Sequence, residues 1–312
     1  MDLATALALE IEATSVLARR AAGGVPFSPH LPTPRQAEFL KLDCLEALYG
    51  GAAGGGKSDA LLMGALQYVD RPGYSAILFR RTYTDLSLPG AIRDRAGEWL
   101  RGRAEWQDKL KRWTFPSGAA VTFGYLETDA DKYRYQSAEF QFCGFDELTQ
   151  FTEGQYRYLL SRLRRCAGAD IPLRSRGASN PGGVGHDWVK ARFVDPKTSA
   201  GRAFVPALLD DNPHLDRDAY RQSLAQLDDL TRAQLERGQW VRDVAGLIYP
   251  YRPEVNGAEM LPEGIRWRYA LGVDFGAGQS APTTAFVMLA YTHEHPAAYV
   301  VESEARAGMT VS

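Results

Sequence analysis

The sequence predicts an α/β fold in which helices flank a mostly parallel β-sheet. From Leu45 to Ala178, short apolar runs typical of strands alternate with segments of helical spacing, and this alternation indicates βαβ units. The residues are 45% hydrophobic and 24% charged, which supports a sizeable core and argues against a largely disordered chain. A length of 312 residues leaves room for one large domain and a smaller one.

Charge and cysteine content argue against several classes of protein. The 36 basic and 38 acidic side chains nearly balance, so a uniformly basic nucleic-acid coat is disfavoured, although a local basic track is not. The cysteines Cys44, Cys143 and Cys166 are too widely separated for a disulfide framework or a zinc ribbon. No apolar run approaches the ~18 residues of a membrane span. The Ala/Leu-rich N-terminus contains acidic side chains, unlike a signal peptide, so we expect a soluble intracellular protein.

The predicted elements follow in order along the chain. Residues 1–22 form a predicted surface helix, and residues 23–34 form a connector. The predicted strands are Leu45–Gly50, Ser75–Arg80, Glu139–Phe145 and Leu173–Ala178, with a hairpin of Arg112–Phe115 and Ala119–Phe123. The predicted helices are Lys57–Val69, Ala91–Leu100 and Glu153–Leu163, followed by two short ones within Asp216–Gln239. Three further strands are predicted at Tyr269–Phe275, Thr284–Tyr291 and Ala298–Glu302.

A glycine-rich turn between a predicted strand and a predicted helix is the first chemical motif. It reads Gly51-Ala52-Ala53-Gly54-Gly55-Gly56-Lys57-Ser58 and matches the phosphate-loop pattern GxxxxGK[ST]. In such a loop, successive backbone N–H groups face the phosphates, Lys57 reaches the β and γ oxygens, and Ser58 offers a hydroxyl to Mg²⁺. The positive end of the following helix favours the same anion. The flanking strand and helix disfavour the alternative, a chance match in a glycine-rich turn.

An acidic pair ends a later strand and is the second motif. The aromatic-rich run Phe140–Phe145 leads directly into Asp146 and Glu147. Beside a phosphate loop, Asp146 would hold the Mg²⁺ shell, and Glu147 would orient and activate the attacking water. The alternative is a solvated strand end. An adjacent Asp-Glu pair favours hydrolysis over kinase chemistry, because a kinase excludes water from its acceptor. The two motifs together predict an ATP- and Mg²⁺-using P-loop NTPase of the ASCE type, which carries a catalytic glutamate.

Further segments accompany the phosphate loop in a distinctive order. They are Pro34-Arg35-Gln36, Leu78-Phe79-Arg80-Arg81-Thr82, Gly144-Phe145-Asp146-Glu147-Leu148, Ala178-Ser179-Asn180-Pro181-Gly182 and Gly272-Val273-Asp274-Phe275-Gly276. From about Leu31 onward, this ordered set resembles the large subunit of tailed-bacteriophage terminases, the DNA-packaging motors. The resemblance implies an N-terminal helix and connector over residues 1–30 and a P-loop ATPase core over 31–212. It also implies a lid or linker subdomain over 213–245 and the start of an RNase H-like nuclease domain over 246–312.

The resemblance implies roles for single residues. Gln36 corresponds to the adenine-reading glutamine of the family; the alternative is an exposed polar residue in a Pro-rich turn. Ser179 and Asn180 match the coupling motif that senses the γ-phosphate; the alternative is a Ser-Asn-Pro turn. An arginine should neutralise charge in the transition state. Arg134 is the first candidate for an arginine supplied by a neighbouring subunit, Arg80 and Arg81 are the others, and each could equally be a surface or DNA-backbone contact.

One carboxylate marks the proposed second domain. Asp274 lies in an apolar predicted strand between glycines, where burial is costly unless the carboxylate binds something. In terminases this position is the first metal ligand of the nuclease, which uses Mg²⁺ or Mn²⁺ ions in pairs. Glu294, Glu302 and Glu304 do not correspond to the later ligands. We therefore expect the nuclease domain to be incomplete, which puts its endonuclease activity in doubt.

The sequence thus predicts an ATP-hydrolysing motor subunit that moves double-stranded viral DNA into a procapsid, with a nuclease domain for concatemeric DNA. The implied partners are double-stranded DNA, the portal protein, the terminase small subunit and further copies of the chain in a ring on the capsid, within the host cytoplasm. We expect DNA contacts within the basic stretches Arg80–Arg112 and Arg162–Arg176. The alternatives are a P-loop helicase or repair ATPase, and a truncated assembly module without catalysis.

Overall fold

The computed structural model describes residues 24–165, 170–195, 201–241, 257–258, 260–274 and 283–307. The helix predicted over residues 1–22 lies outside these ranges. The chain divides into two compact units, Met1–Asp243 and Val244–Ser312, and each is described by itself.

Eight strands of the first unit form one sheet. They are β1 (Glu46–Gly51), β2 (Ser75–Arg80), β3 (Glu105–Gln107), β4 (Arg112–Thr114), β5 (Ala120–Tyr125), β6 (Phe142–Asp146), β7 (Arg174–Ser179) and β8 (Arg202–Ala207). Their spatial order is β3-β4-β5-β2-β6-β7-β1-β8. All pairs from β5 to β8 along this order are parallel, and only the β3-β4 and β4-β5 pairs are antiparallel. The predicted α/β fold with a mostly parallel sheet is confirmed.

Helices cover the sheet. They are α1 (Pro34–Lys41), α2 (Lys57–Leu66), α3 (Tyr83–Ser87), α4 (Ile92–Leu100), α5 (Glu153–Leu160), α6 (His186–Val189), α7 (Arg217–Leu224) and α8 (Asp229–Leu235). Successive side chains of a strand point to opposite faces. Accordingly, Leu78 of β2 packs in a core cluster with α2 and α4, whereas Phe79 packs in a second cluster with α5. The sheet is therefore buried on both faces, as parallel sheets generally are.

Some elements differ from the predictions. Helix α2 ends at Leu66 rather than Val69, and α5 ends at Leu160 rather than Leu163. Strand β8 was not predicted, because Pro206 interrupts its pattern. Proline lacks a backbone N–H and is tolerated in edge strands, and β8 is the edge strand beside β1.

The described strands of the second unit form a three-stranded antiparallel sheet. Strand β10 (Thr283–Tyr291) lies between β9 (Arg268–Asp274) and β11 (Tyr299–Ala307). All three strands predicted here are present, but β11 continues to Ala307 rather than ending at Glu302. The segment from Thr292 to Ala298 connects β10 to β11. Within the described ranges of the whole chain, we find no helix with the length and hydrophobicity needed to cross a bilayer.

Candidate active site

Four neighbouring strands end at one edge of the large sheet. In spatial order they are β2, β6, β7 and β1, and all run parallel. Their carboxyl ends carry Arg80, the pair Asp146 and Glu147, the pair Ser179 and Asn180, and the glycine-rich loop after Gly51. Ligands of open α/β sheets bind beyond the carboxyl ends of the strands. The topology therefore gathers residues that lie far apart in the sequence into one candidate site.

The loop between β1 and α2 has the geometry of a phosphate cradle. Gly51 and Gly56 have φ angles of 136° and 70°, values that favour glycine. A Cβ atom at Gly51 would lie 2.4 Å from the carbonyl oxygen of Ala207 in β8. Helix α2 begins at Lys57, directly after the left-handed Gly56, so the helix N-terminus opens onto the loop. The predicted phosphate loop thus adopts the backbone form that its sequence requires.

Lys57 is the buried cation of this loop. The residue is 8% exposed, and its ammonium group donates a hydrogen bond to the carbonyl oxygen of Ala52. Burial lowers the pKa of Lys57 to about 8, although Glu147 and Asp146 favour the charged form. A bound polyphosphate would favour the charged form further, so Lys57 is suited to neutralising phosphate oxygens.

Ser58 and Asp146 meet across the site. The Ser58 hydroxyl donates a hydrogen bond of 3.0 Å to Oδ1 of Asp146. Asp146 is 1% exposed, and its second oxygen, Oδ2, forms an ion pair with Nε of Arg80 at 3.0 Å. A hydroxyl oxygen and a carboxylate oxygen that already lie together are ligands that Mg²⁺ accepts along with phosphate oxygens and water. These two residues therefore fit the predicted magnesium site.

Glu147 occupies an unusual backbone conformation beside Asp146. Its φ and ψ are both 56°, in the left-handed region that costs a non-glycine residue about 1–3 kcal/mol. Burial and the Asp146 carboxylate raise the pKa of Glu147, whereas Lys57, Arg80 and the backbone N–H of Asn180 lower it. A raised pKa suits a general base, because a more basic carboxylate accepts a proton more readily. Strain of this kind is concentrated at functional positions, which agrees with the catalytic role predicted for Glu147.

Arg80 lies against the acidic pair. Its Nε is 3.0 Å from Oδ2 of Asp146, and one of its terminal nitrogens is 3.6 Å from Oε1 of Glu147. The other terminal nitrogen donates to the carbonyl oxygen of Asp85, which fixes the guanidinium. The expectation that Arg80 could equally be a surface arginine is wrong, because the register of β2 with β6 places it beside the carboxylates. The neighbouring Arg81 instead donates to Gln155 at 3.5 Å.

A hydrogen-bonded network joins the end of β7 to the segment after Glu147. The hydroxyl oxygens of Thr149 and Ser179 lie 2.9 Å apart, and the backbone N–H of Thr149 donates to the same Ser179 oxygen at 3.2 Å. The side-chain carbonyl oxygen of Asn180 is buried and has no hydrogen-bond partner in the described ranges. Thr149 was missed in the sequence, because only the fold reveals its contact with Ser179.

Gln36 braces the phosphate loop from helix α1. It is 2% exposed, so the alternative of an exposed polar residue is wrong. Its side-chain amide donates to the carbonyl oxygen of Gly56 at 2.9 Å, and its carbonyl oxygen accepts from the backbone N–H of Thr33 at 2.9 Å. The second contact belongs to a capping box that starts α1. The predicted reading of adenine by Gln36 stays a prediction.

Arg134 lies outside the cluster of strand-end residues. Its side chain is 53% exposed, pairs with Asp131 at 3.1 Å, and covers the ring of Tyr125 at 4.8 Å. Tyr125 ends β5, the neighbour of β2, so Arg134 follows the same edge of the sheet as the site. An exposed guanidinium at this edge is compatible with contact to another subunit, and that role stays a prediction.

The predicted lid region contacts the phosphate loop directly. The Ala53 N–H donates to the carbonyl oxygen of Leu235 at 2.6 Å. Just before the lid region, the Asn212 side-chain amide donates to the carbonyl oxygen of Gly54 at 2.7 Å. Gly238 has a φ of 64°, and a Cβ there would lie 2.6 Å from the Ala52 nitrogen. Neither Asn212 nor Gly238 was identified from the sequence, where both resemble ordinary loop residues.

Asp274 has different surroundings from those predicted. It ends the described part of β9 and is exposed, so the expected cost of burying its carboxylate does not arise. The registers with β10 place Glu302 and Glu304 on the face of the sheet that also carries Leu271 and Val273. Asp274 lies on the opposite face. No group of three or more metal-binding side chains occurs among the residues that the structure describes. The described residues therefore do not fit a two-metal nuclease site.

The fold and the site define a P-loop NTPase: a parallel sheet with a phosphate loop after one strand and an acidic pair after a nearby one. The family model described as "Terminase large subunit, T4likevirus-type, N-terminal" matches residues 48–254. The chain therefore belongs to the terminase large-subunit family, and the resemblance noted in the sequence is confirmed.

Solved structures of phage large terminases share this fold. The large terminase of a thermophilic bacteriophage in complex with ADP matches with a TM-score of 0.55 at 14% identity, covering 89% of this chain and 69% of that one. The same thermophilic-phage protein in complex with ATP-gamma-S matches with a TM-score of 0.53 at 14% identity, covering 88% and 68%. The HK97 bacteriophage large terminase matches with a TM-score of 0.53 at 12% identity, covering 86% and 62%. No curated protein sequence matches the chain.

Proposed function

We propose that this protein is the ATP-hydrolysing motor subunit that moves double-stranded viral DNA into a procapsid. One observation carries the proposal: the Ser58 hydroxyl meets Asp146 at 3.0 Å directly beside Glu147. A phosphate loop joined in this way to a carboxylate pair contains the groups that nucleotide hydrolysis requires. The terminase family and the nucleotide complexes of the thermophilic-phage terminase support ATP as the substrate.

Each side chain has a separate task in this proposal. Lys57 and the loop N–H groups bind the β and γ phosphates, and Ser58 and Asp146 hold Mg²⁺. When bound, Mg²⁺ neutralises charge on the phosphate oxygens. Glu147 orients the attacking water and accepts its proton. Because Arg80 contacts both carboxylates, it keeps their mutual repulsion low.

The proposed coupling of hydrolysis to motion uses residues around this centre. Ser179 ends β7 and Asn180 follows it, and through Thr149 both contact the segment that carries Glu147. The phosphate loop contacts Leu235 of the lid region and Asn212, which directly precedes that region. A change at the γ-phosphate would therefore alter contacts of both segments. Arg134 is proposed to reach the site of a neighbouring subunit and stabilise charge in the transition state there.

The proposed partners follow from the family. They are double-stranded DNA, the portal protein, the terminase small subunit and further copies of this chain in a ring on the capsid, in the host cytoplasm. The second unit is proposed to begin an RNase H-like nuclease domain that cuts concatemeric DNA. Among the described residues, Asp274 belongs to no group of three or more side chains that could hold a metal ion.

A strand-separation assay on forked DNA distinguishes the proposed packaging motor from a helicase. The proposal predicts Mg²⁺-dependent ATP hydrolysis by the unmodified protein and no separation of the strands of the fork. Strand separation would favour the helicase alternative, and absence of both nucleotide binding and hydrolysis would favour a non-catalytic assembly module. Either result would contradict the proposed motor function.

A further inference from the structure

A cavity of about 260 Å³ lies beside helix α4, and none of the candidate active-site residues lines it. One wall comes from α4 and the residues that flank it, and the other comes from the paired strands β3 and β4. The lining residues are Ser87, Arg93, Asp94, Gly97, Arg101, Trp106 and Trp113. The strands β3 and β4 lie at the opposite end of the sheet order from β1, which leads into the phosphate loop.

Guanidinium groups and indole rings dominate the chemistry of this cavity. The Arg93 guanidinium lies 5.0 Å from the centre of the Trp106 ring and donates to the Ser87 hydroxyl at 2.7 Å, so its position is fixed. The two indole rings lie 5.4 Å apart. The indole N–H of Trp113 is buried and has no hydrogen-bond partner within the described ranges. The cavity thus offers an aromatic surface and the two positive charges of Arg93 and Arg101, with the Asp94 carboxylate also in its lining.

Gly97 leaves space on the wall that α4 contributes. A Cβ atom there would meet no other atom within 4 Å. Glycine in a helix interior lowers helix stability by about 1 kcal/mol relative to alanine. A side chain at position 97 would therefore stabilise α4. The space beside Gly97 is open to a ligand that approaches the helix backbone.

The ligand chemistry that fits is a phosphate joined to a sugar. Guanidinium groups bind phosphate oxygens bidentately, and contacts of proteins with nucleic acids are mostly to phosphate and sugar. Indole rings supply an apolar and polarisable surface for the sugar or base. The volume of about 260 Å³ lies just below the ~300–1,000 Å³ typical of small-molecule sites, so the cavity has room for no more than one nucleotide unit.

We propose that this cavity binds one nucleotide unit of a DNA strand, held through its phosphate by Arg93 and Arg101 with its sugar against Trp106. The inference rests on the proposed function, in which the protein moves along DNA. A free nucleotide shares the same chemistry. A DNA strand is favoured over a free nucleotide for two reasons. Arg101 is exposed, and the residues that line the cavity include no glycine-rich phosphate loop of the kind found after β1.

Matched arginine variants test the proposal. Arg101→Glu and Arg103→Glu change the charge equally, two residues apart and both at exposed positions, but only Arg101 lines the cavity. Binding of a labelled duplex of about 20 base pairs is measured by fluorescence anisotropy across a salt series. Arg101→Glu is expected to weaken binding about tenfold and to lower the salt slope by about 1, and Arg103→Glu to change the affinity less than about twofold.

A cavity-filling variant tests the same site without changing charge. Gly97→Leu places a side chain in the open space and increases helix propensity, so loss of folding is not expected to explain its effect. It should weaken duplex binding about tenfold, as Arg101→Glu does. The proposal would be overturned if Arg101→Glu, Arg103→Glu and Gly97→Leu all bound the duplex equally well. It would also be overturned if Arg101→Glu and Arg103→Glu lost the same amount of duplex affinity.

Two further measurements complete the test. Titration with thymidine monophosphate, followed by tryptophan emission, distinguishes a free nucleotide from a DNA strand as the ligand. If Arg101→Glu and Gly97→Leu weaken binding of the mononucleotide but not of the duplex, the proposal is overturned. ATP hydrolysis by the unmodified protein without DNA is measured separately. Hydrolysis together with an unaffected duplex affinity in Arg101→Glu and Gly97→Leu would reject the cavity while leaving the motor function standing.

Discussion

The hydroxyl oxygens of Thr149 and Ser179 lie 2.9 Å apart, and this contact connects two segments of the active site. Thr149 follows Glu147 by two residues, and Ser179 ends β7. The carbonyl oxygen of Thr149 also accepts from the backbone N–H of Gly185 at 2.7 Å. Thr149 therefore positions the Glu147 segment relative to the loop that follows β7.

Replacing this hydroxyl by a methyl group should slow ATP turnover without abolishing nucleotide binding. In Thr149→Val the side chain keeps its shape, but the contact between the two hydroxyl groups is lost, and only the Thr149 backbone N–H still reaches Ser179. We expect kcat to fall about tenfold and KM to change less than about twofold, because the phosphate loop is untouched. Steady-state phosphate release measures both constants. Thr149→Ser retains the hydroxyl and should behave as the unmodified protein, whereas an unchanged kcat in Thr149→Val would refute the positioning role.

The brace between Gln36 and Gly56 should contribute to nucleotide affinity. Gln36→Ala removes the 2.9 Å hydrogen bond to the phosphate loop and opens the capping box of α1. We expect ATP binding, measured by calorimetry, to weaken about tenfold. The same measurement with GTP tests whether Gln36 recognises the base. A larger loss of affinity for ATP than for GTP supports the predicted adenine contact. Unchanged ATP affinity would show that the brace is not needed.

The lid contact at Gly238 can be tested against a matched glycine. Gly238→Ala adds a Cβ 2.6 Å from the Ala52 nitrogen, whereas Gly201 has a similar φ of 74° and would meet nothing within 4 Å. Gly201→Ala should therefore cost only the backbone strain, about 1–2 kcal/mol in the free energy of unfolding. Gly238→Ala should cost more and should also weaken ATP binding. Equal effects of the two substitutions in urea unfolding would disprove the close approach.

The phosphate loop and the acidic pair could be predicted because each depends on local sequence. A strand, a run of glycines and a helix suffice to place Lys57 and Ser58, and an aromatic-rich strand suffices to place Asp146 and Glu147. The resemblance to terminases added the order of the segments and was confirmed by the family match.

The contacts between segments could not be predicted in this way. Arg80 and Asp146 lie far apart in the sequence, and only the parallel register of β2 with β6 brings them together. The same holds for Thr149 with Ser179 and for Gly238 with Ala52. Asp274 illustrates the opposite error: an apolar strand predicted a buried carboxylate, whereas the described sheet leaves it exposed.

A buried ionic cluster at the amino end of β1 should make stability depend on pH. Burial alone would raise the pKa of Glu46, but hydrogen bonds from Arg192, Tyr156 and Arg202 outweigh it and hold the pKa below its ordinary value. A depressed folded-state pKa adds stability that is present above the unfolded pKa and is lost as the pH falls through the folded value. Glu46→Gln should therefore lower the free energy of unfolding by about 2 kcal/mol at neutral pH.

The pH dependence distinguishes this ionic effect from a simple loss of packing. The difference between Glu46→Gln and the unmodified protein should shrink as the pH falls below the ordinary glutamate pKa of about 4.3 and then through the lower folded-state pKa of Glu46. Urea unfolding at a series of pH values measures it. A difference that stays constant across this range would refute the ionic explanation.

The most direct test of the central claim is ATP turnover by Glu147→Gln, with Glu139→Gln as the control. Glutamine has nearly the same shape as glutamate but cannot accept the proton of the attacking water, so turnover should fall about 100-fold or more while ATP binding persists. Glu139 pairs with Arg164 at the surface, so its replacement should leave turnover unchanged. Turnover at the unmodified rate in Glu147→Gln would contradict the proposed mechanism.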